Sequence, residues 1–317
     1  MVRAAEQAQA ILSQGETEMG SGALVAAAFL LTAQGANAQP AQVPLAIYSD
    51  PAPDAEHPAR MEVLHVPSGG VEINGVAYLA AGAGPHPTLV LCHGWPGNEK
   101  NLDLAQAVRR AGWNVVTFNY RGSWGSRGPF RFANNPADAR AVLAYLRDPG
   151  HAKALGVDPA RIAIAGHSMG GWVAAMVGGS DAGLIGTALI SAANMGMVGS
   201  LPKDRLVSEA AGNSETLAGT SPETMADELI AHREDFDFLA AAPGLARRPL
   251  LVLSADDGLA PMTDALGEAV RKEGSTSITS YHAATDHSWS GHRIDLETRV
   301  IRWLGTLVPG SAQASKE

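Results

Sequence analysis

The chain has 317 residues, 46% of them hydrophobic and 17% charged, in the ordinary range for one mid-sized globular α/β domain. A formal net charge of −9, with no cluster of Lys and Arg, disfavours a nucleic-acid or anionic-membrane partner. The single cysteine, Cys92, excludes an intrachain disulfide and reads as core.

Along the chain, the apolar run Ala23–Leu31 has the length of a signal peptide and is too short to span a membrane. Ala36-Asn37-Ala38 follows as a small-x-small cleavage pattern. Arg3 is the only basic residue before the run, and Glu6, Glu16 and Glu18 oppose it, which suits a start at Met19. The expectation is a signal peptide or extension over 1–38, cleavage after Ala38, and export to the periplasm or beyond the cell. Residues 39–60 read as a linker rich in Pro, Ala and Asp. Strands Met61–Val66 and Val71–Leu79, with Gly69-Gly70 between them and Asn74-Gly75 inside the second, predict an antiparallel hairpin at a sheet edge.

Strand and helix then alternate: Thr88–Cys92, a helix near Leu102–Ala111, Val115–Asn119, a helix Ala137–Leu146, Ile162–Ala165, a helix, and Thr187–Ile190. This order predicts a mostly parallel, doubly wound sheet that binds ligands beyond its strands' C-terminal ends. Between Ser191 and Arg247 the alternation stops. The insertion, about 195–246 and including a polar helical stretch Pro222–His232, is expected to form a small helical cap. Strands Leu250–Leu253 and Ser277–Tyr281 and a helix Ile294–Leu307 complete a domain over 61–310, and 311–317 reads as a tail.

Arg161 to Trp172 reads RIAIAGHSMGGW. An apolar run, Gly166-His167-Ser168-Met169-Gly170 and then small residues make a strand, a sharp turn and a helix. A G-x-S-x-G in that setting is a nucleophile elbow. Side chains flanking the serine would clash in so tight a turn, and the hydroxyl is presented at a helix N-terminus that favours developing negative charge. An acid and then a base should follow the serine in the chain. Asp257 is the preferred acid, because Gly258 and the turn before Pro261 aim it across the strand ends; Asp256 is its competitor. His287 is the preferred base, lying in the loop after the next strand, whereas His282 ends that strand and His292 approaches the last helix. The oxyanion donors expected are the backbone N–H groups of Met169 and of Trp95, the latter in His93-Gly94-Trp95-Pro96-Gly97, where Gly94 allows close approach and Pro96 has no N–H. Trp124, Phe130, Met195 and Met197 are the candidate lining of an apolar substrate pocket. Arg121 and Arg127 read as structural partners of carboxylates. No HExxH, cysteine pair or EF-hand loop occurs, so no metal is expected.

In their order and spacing, LCHGWPG, FNYRGSWGSRG, AGHSMGG, LSADDGLAP and ATDHSW resemble the α/β-hydrolase superfamily over about Met61 to Leu307. Within it, Asn119-Tyr120-Arg121-Gly122 with Trp124-Gly125-Ser126, and Asp286-His287-Ser288, resemble the dienelactone-hydrolase-like and prolyl-oligopeptidase-like serine esterases and peptidases. Ser168 in place of a cysteine departs from a true dienelactone hydrolase, and no propeller-sized N-terminal domain is present. The resemblance implies an α/β-hydrolase fold, Ser168 as nucleophile, Asp257 as acid, His287 as base, and Trp95 and Met169 as oxyanion donors. The expected activity is cleavage of small carboxylic esters through an acyl-enzyme, with no cofactor. An aminopeptidase or acyl-peptidase is the rival reading, but no carboxylate pair to hold a free amine is identifiable. A binding protein without chemistry is disfavoured by the intact Ser, Asp and His.

Overall fold

The computed structural model describes residues 42–308. The expected signal segment 1–38 and the tail 311–317 lie outside the described residues. Part of the expected linker, 42–48, is docked on the domain. A one-turn helix α1 (Leu45–Tyr48) is held where Arg110 donates to the carbonyls of Ala46 and Ile47 at 2.5 and 3.0 Å. Arg302 donates to the Gln42 carbonyl at 2.5 Å. These arginines lie far along the chain, so local composition carries no sign of them.

Strands β1 (Arg60–Ser68) and β2 (Val71–Leu79) form the expected antiparallel hairpin, and β1 is an edge strand. Its turn is at Gly69-Gly70 alone. Asn74-Gly75 lies in mid-strand, paired with His65 and Leu64. After β3 (His86–Cys92) come α2 (Leu102–Arg110), β4 (Asn114–Phe118) and α3 (Asn134–Arg147). A helix absent from the sequence reading follows, α4 (Pro149–Leu155). Its signals were complete: the Asp148 side chain accepts from the N–H groups of Gly150 and His151, Pro149 opens the first turn, and Gly156 closes the last with φ 62°. Next are β5 (Val157–His167), α5 (Met169–Ser180) and β6 (Leu184–Ile190).

The regular elements of the insertion are helical: α6 (Met195–Val198), α7 (Lys203–Ala211), α8 (Pro222–Ala231), a 3₁₀ turn at Phe238–Ala241 and α9 (Ala242–Leu245). Its middle is stitched to the loop after β4. Trp124 N–H donates to Thr216, Ala218 N–H to Gly122 and Phe130 N–H to Ala218, at 3.1, 2.7 and 2.9 Å. Then β7 (Leu250–Ala255), α10 (Ala260–Lys272), β8 (Ile278–Ala283) and α11 (Arg293–Leu307) complete the chain.

The sheet order is β1-β2-β4-β3-β5-β6-β7-β8, parallel from β4 through β8. The period-two alternation of a strand divides the core in two. Ile162 and Ile164 pack with Val90, Trp172 and Val142 beneath α3 and α5, while Ala163 and Ala165 face Leu89, Leu104 and Leu296 beneath α2 and α11. Covered on both faces, the central strands are continuous apolar runs. Their C-terminal ends open together on one edge, and the site lies there.

Candidate active site

Ser168 stands between β5 and α5 with φ 60° and ψ −124°, a conformation that non-glycine residues avoid. The strain is held by the neighbouring strand end. Ser168 N–H donates to the Ile190 carbonyl at 3.0 Å, and its own carbonyl accepts from Ala193 N–H at 3.1 Å. The elbow tolerates no side chains beside it. A Cβ on Gly166 would strike the Gly170 carbonyl, and one on Gly170 would strike the carbonyls of Cys92 and His93. Gly94 is equally confined, since a Cβ there would sit 3.0 Å from the Ser168 Cβ. The loop after β3 thus lies against the serine. Met169 is the first residue of α5, where a backbone N–H has no intrahelical acceptor. The Trp95 indole is buried in the core, edge-on to Phe132 at 5.2 Å.

The two aspartates after β7 take different histidines. Asp257 Oδ2 lies 2.7 Å from His287 Nδ1, both groups largely buried, and Asp257 Oδ1 accepts from Leu259 N–H at 2.9 Å. Asp256 lies 2.8 Å from His282 Nε2 on the exposed side, and His282 Nδ1 meets Ser254 Oγ at 3.0 Å. His292 is the residue before α11. Of three histidines and two aspartates, the fold therefore brings His287 and Asp257 to the serine's neighbourhood.

Three further residues hold this pair, and the sequence reading gave none of them a role. His167, adjacent to Ser168, donates from Nε2 to the His287 carbonyl at 2.9 Å, the two rings 4.6 Å apart. Burial, and then the neighbouring His287 charge, push its pKa down to about 3, so it is a neutral donor. The fully buried Trp289 donates from Nε1 to Ser191 Oγ at 3.1 Å, and Ser191 in turn hydrogen-bonds the Asp257 carboxylate. Burial raises the Asp257 pKa, but the bonds from His287, Leu259 and Ser191 outweigh it and hold the carboxyl below its ordinary value. The Nε2 of His287 is buried and makes no hydrogen bond among the described residues. Ser191→Ala should therefore cost about tenfold in kcat by removing one bond to the carboxylate, and Trp289→Phe, which removes the indole N–H and leaves a cavity at a fully buried site, should cost stability as well as a few-fold in kcat. An unchanged kcat in folded Ser191→Ala would remove Ser191 from the network.

The two buried histidines beside the serine set an acid limit on stability. His93 donates from Nδ1 to the Gly94 carbonyl at 2.7 Å, and burial above all lowers its pKa to about 4. Rings with folded values this far below the unfolded value of about 6.5 bind their protons only on unfolding. Stability is thus fully present above about pH 6.5 and falls as the pH drops toward 4, each ring costing about 1.4 kcal/mol per unit. Urea melts at pH 7 and pH 5 should show this loss. A double variant, His93→Gln with His167→Gln, should flatten it; an unchanged slope would place the acid sensitivity elsewhere.

The expected pocket residues divide. Trp124, 39% exposed and with φ 48°, donates from Nε1 to the Pro96 carbonyl at 3.0 Å, so it borders the loop after β3. Phe130 and Met195 are buried in the core cluster that also contains Met169 and Trp172. Met197 is 48% exposed. Of these candidate lining residues the two methionines part: residues two apart on a helix diverge by about 200°, so Met195 is buried while Met197 turns to solvent. Arg121 pairs with the buried Asp138 at 2.7 Å, as expected, whereas Arg127 has no carboxylate partner among the described residues. Among the described residues, no group of three His, Cys, Asp or Glu side chains could hold a metal ion. No helix among them is long and apolar enough to cross a membrane.

An eight-stranded doubly wound sheet with a serine elbow at its fifth strand defines a class. The chain belongs to the alpha/beta hydrolase family, whose profile matches residues 89–304. Two uncharacterized proteins of Mycobacterium tuberculosis are each 33% identical to it over 127 residues, 39% of this chain and 43% of theirs, so the match spans less than half of those relatives. Among solved structures it is similar to a thermostable carboxylesterase cloned from a metagenomic library (TM-score 0.58, 23% identity, 80% of this chain and 91% of that one). It is also similar to the acylaminoacyl peptidase of Pyrococcus horikoshii (TM-score 0.59, 15% identity, 77% of this chain and 41% of that one). At these identities the structural likeness is one of fold.

Proposed function

We propose that the protein is a serine hydrolase that cleaves carboxylic esters. The observation that carries this reading is the 2.7 Å bond between His287 Nδ1 and Asp257, in a loop held to the strained Ser168 elbow by His167. In the proposed reaction Ser168 Oγ attacks the acyl carbonyl while His287 Nε2 takes its proton. Asp257 fixes the Nδ1–H tautomer and stabilises the imidazolium. The N–H groups of Trp95 and Met169 bind the oxyanion, each worth about 10²–10³ in rate. His287 returns the proton to the leaving alcohol, and water then cleaves the acyl-enzyme.

A neutral fluorophosphonate should label Ser168, and a panel of para-nitrophenyl esters against aminoacyl and acyl-peptide anilides should show ester turnover. Labelling with turnover of the anilides alone would make the protein an acyl-peptidase or aminopeptidase, and absence of labelling would make it a binding protein. We also propose export, on the apolar run Ala23–Leu31 and the Ala36-Asn37-Ala38 pattern. A protein recovered from the periplasm or medium should begin at Gln39; recovery from the cytoplasm with residues 19–38 intact would oppose it.

A further inference from the structure

Between the loop after β3 and the loop after β8 lies a cavity of about 500 Å³. Asn98 and Lys100 line it from the first loop and Ser288 and Ser290 from the second, with Leu102 its one apolar lining residue. These loops also carry the site, since Gly94 abuts Ser168 and Ser288 follows His287. Neither Ser168 nor His287 lines the cavity itself, but the two loops that flank it are the ones that carry Gly94 and His287.

Four charged side chains border the cavity, and they are not equally satisfied. Arg293 donates to both Asp103 oxygens, at 2.7 and 2.5 Å, so that pair neutralises itself. Glu99 Oε1 accepts from Asn101 N–H at 2.5 Å. Lys100 has no carboxylate within 4.0 Å among the described residues. Its Nζ lies 3.0 Å from Asn119 Oδ1 and 4.1 Å from the centroid of the Trp124 ring. An ammonium has three donors, and neither an amide oxygen nor a ring face neutralises its charge. The group is half-buried, and burial lowers its pKa. Desolvating a cation without a counter-charge is costly, and an anionic ligand would repay it. Trp124, which carries Lys100 on its face, is itself bonded to Pro96, the residue after Trp95.

We propose that this cavity receives a carboxylate of the substrate and that Lys100 recognises it, so that the preferred substrates are acidic esters rather than simple alkyl esters. The inference rests on the serine-hydrolase reading. The carboxylate can belong to the acyl part, as in a half-ester of a dicarboxylic acid, or to the alcohol part, as in an ester of a hydroxy acid.

Two matched pairs separate these sources. For the acyl side the pair is the mono-para-nitrophenyl ester of glutaric acid and its terminal amide; for the alcohol side it is para-acetoxybenzoate and para-acetoxybenzamide. In at least one pair kcat/KM should favour the acid by about tenfold, about 1.4 kcal/mol. The ratio should fall to near one in Lys100→Met and persist in Lys100→Arg. High salt should reduce it in the unmodified protein, a reading that needs no variant. No preference for the acid in either pair, no turnover of either acid, or a preference that survives in Lys100→Met overturns the proposal. Fluorophosphonate labelling of the unmodified protein keeps the two readings apart. Labelling without charge preference removes only the role of Lys100, whereas absence of labelling removes the serine-hydrolase reading itself.

Discussion

Ser168→Ala should lower kcat by at least about 10⁴-fold and abolish fluorophosphonate labelling while the protein stays folded. The size of the effect follows from the proposed chemistry, in which the Ser168 hydroxyl is the atom that bonds to the acyl carbon. The folding expectation follows from how the elbow is held. The backbone bonds to Ile190 and from Ala193 involve main-chain atoms of residue 168, which alanine keeps. Alanine also fits the space beneath Gly94, since it removes an atom and adds none. The measurement is covalent labelling beside a thermal melt. Full labelling of the variant would move the nucleophile to another residue.

Asp257→Asn should cost about 10³–10⁴ in kcat, and Asp256→Asn far less. An asparagine at 257 offers His287 Nδ1 an amide donor or a neutral oxygen in place of a carboxylate. The tautomer with its proton on Nδ1 is then no longer enforced, and the imidazolium loses its counter-charge. Ser191 and Leu259 would still bond the oxygen at 257, so the side chain stays in place and the loss is electrostatic rather than a collapse of the loop. Asp256 bonds an exposed histidine on the outer side of the same turn, and its neutralisation leaves the site's charges intact. Steady-state kinetics on both variants gives the ranking; the reverse order would make Asp256 the acid.

Much of this fold was legible in the sequence because its signals are local. Continuous apolar runs such as Leu89–Cys92 and Leu250–Leu253, short and bounded by turn residues, read as strands covered on both faces, and the glycines from Gly166 to Gly171 spell a tight turn with no room beside the serine. What was not legible depends on contacts between distant residues. Whether Asp256 or Asp257 faces inward is decided by which histidine of the β8 segment meets each of them. The pairing of Trp289 with Ser191 joins residues 98 apart, and the hold of His167 on His287 joins residues 120 apart. No periodicity within either segment announces those bonds. The methionines divide for a nearer reason: without the one-turn helix α6, Met195 and Met197 look like neighbours on one face, and the helix sends them apart.

The ladder of strand ends that carries the site also sets when the site can exist. Gly94, Ser168, Ser191, Asp257 and His287 follow β3, β5, β6, β7 and β8 in turn, so every strand from the middle of the sheet to its far edge supplies one part. Long loops must close before such parallel neighbours can pair, and closure of this kind is slow. On the proposed mechanism, the chain would be inert during synthesis until Trp289 has emerged and β8 has docked on β7. The last-made quarter of the protein thus holds both Asp257 and His287, and in the proposed mechanism the appearance of turnover would mark the completion of the sheet.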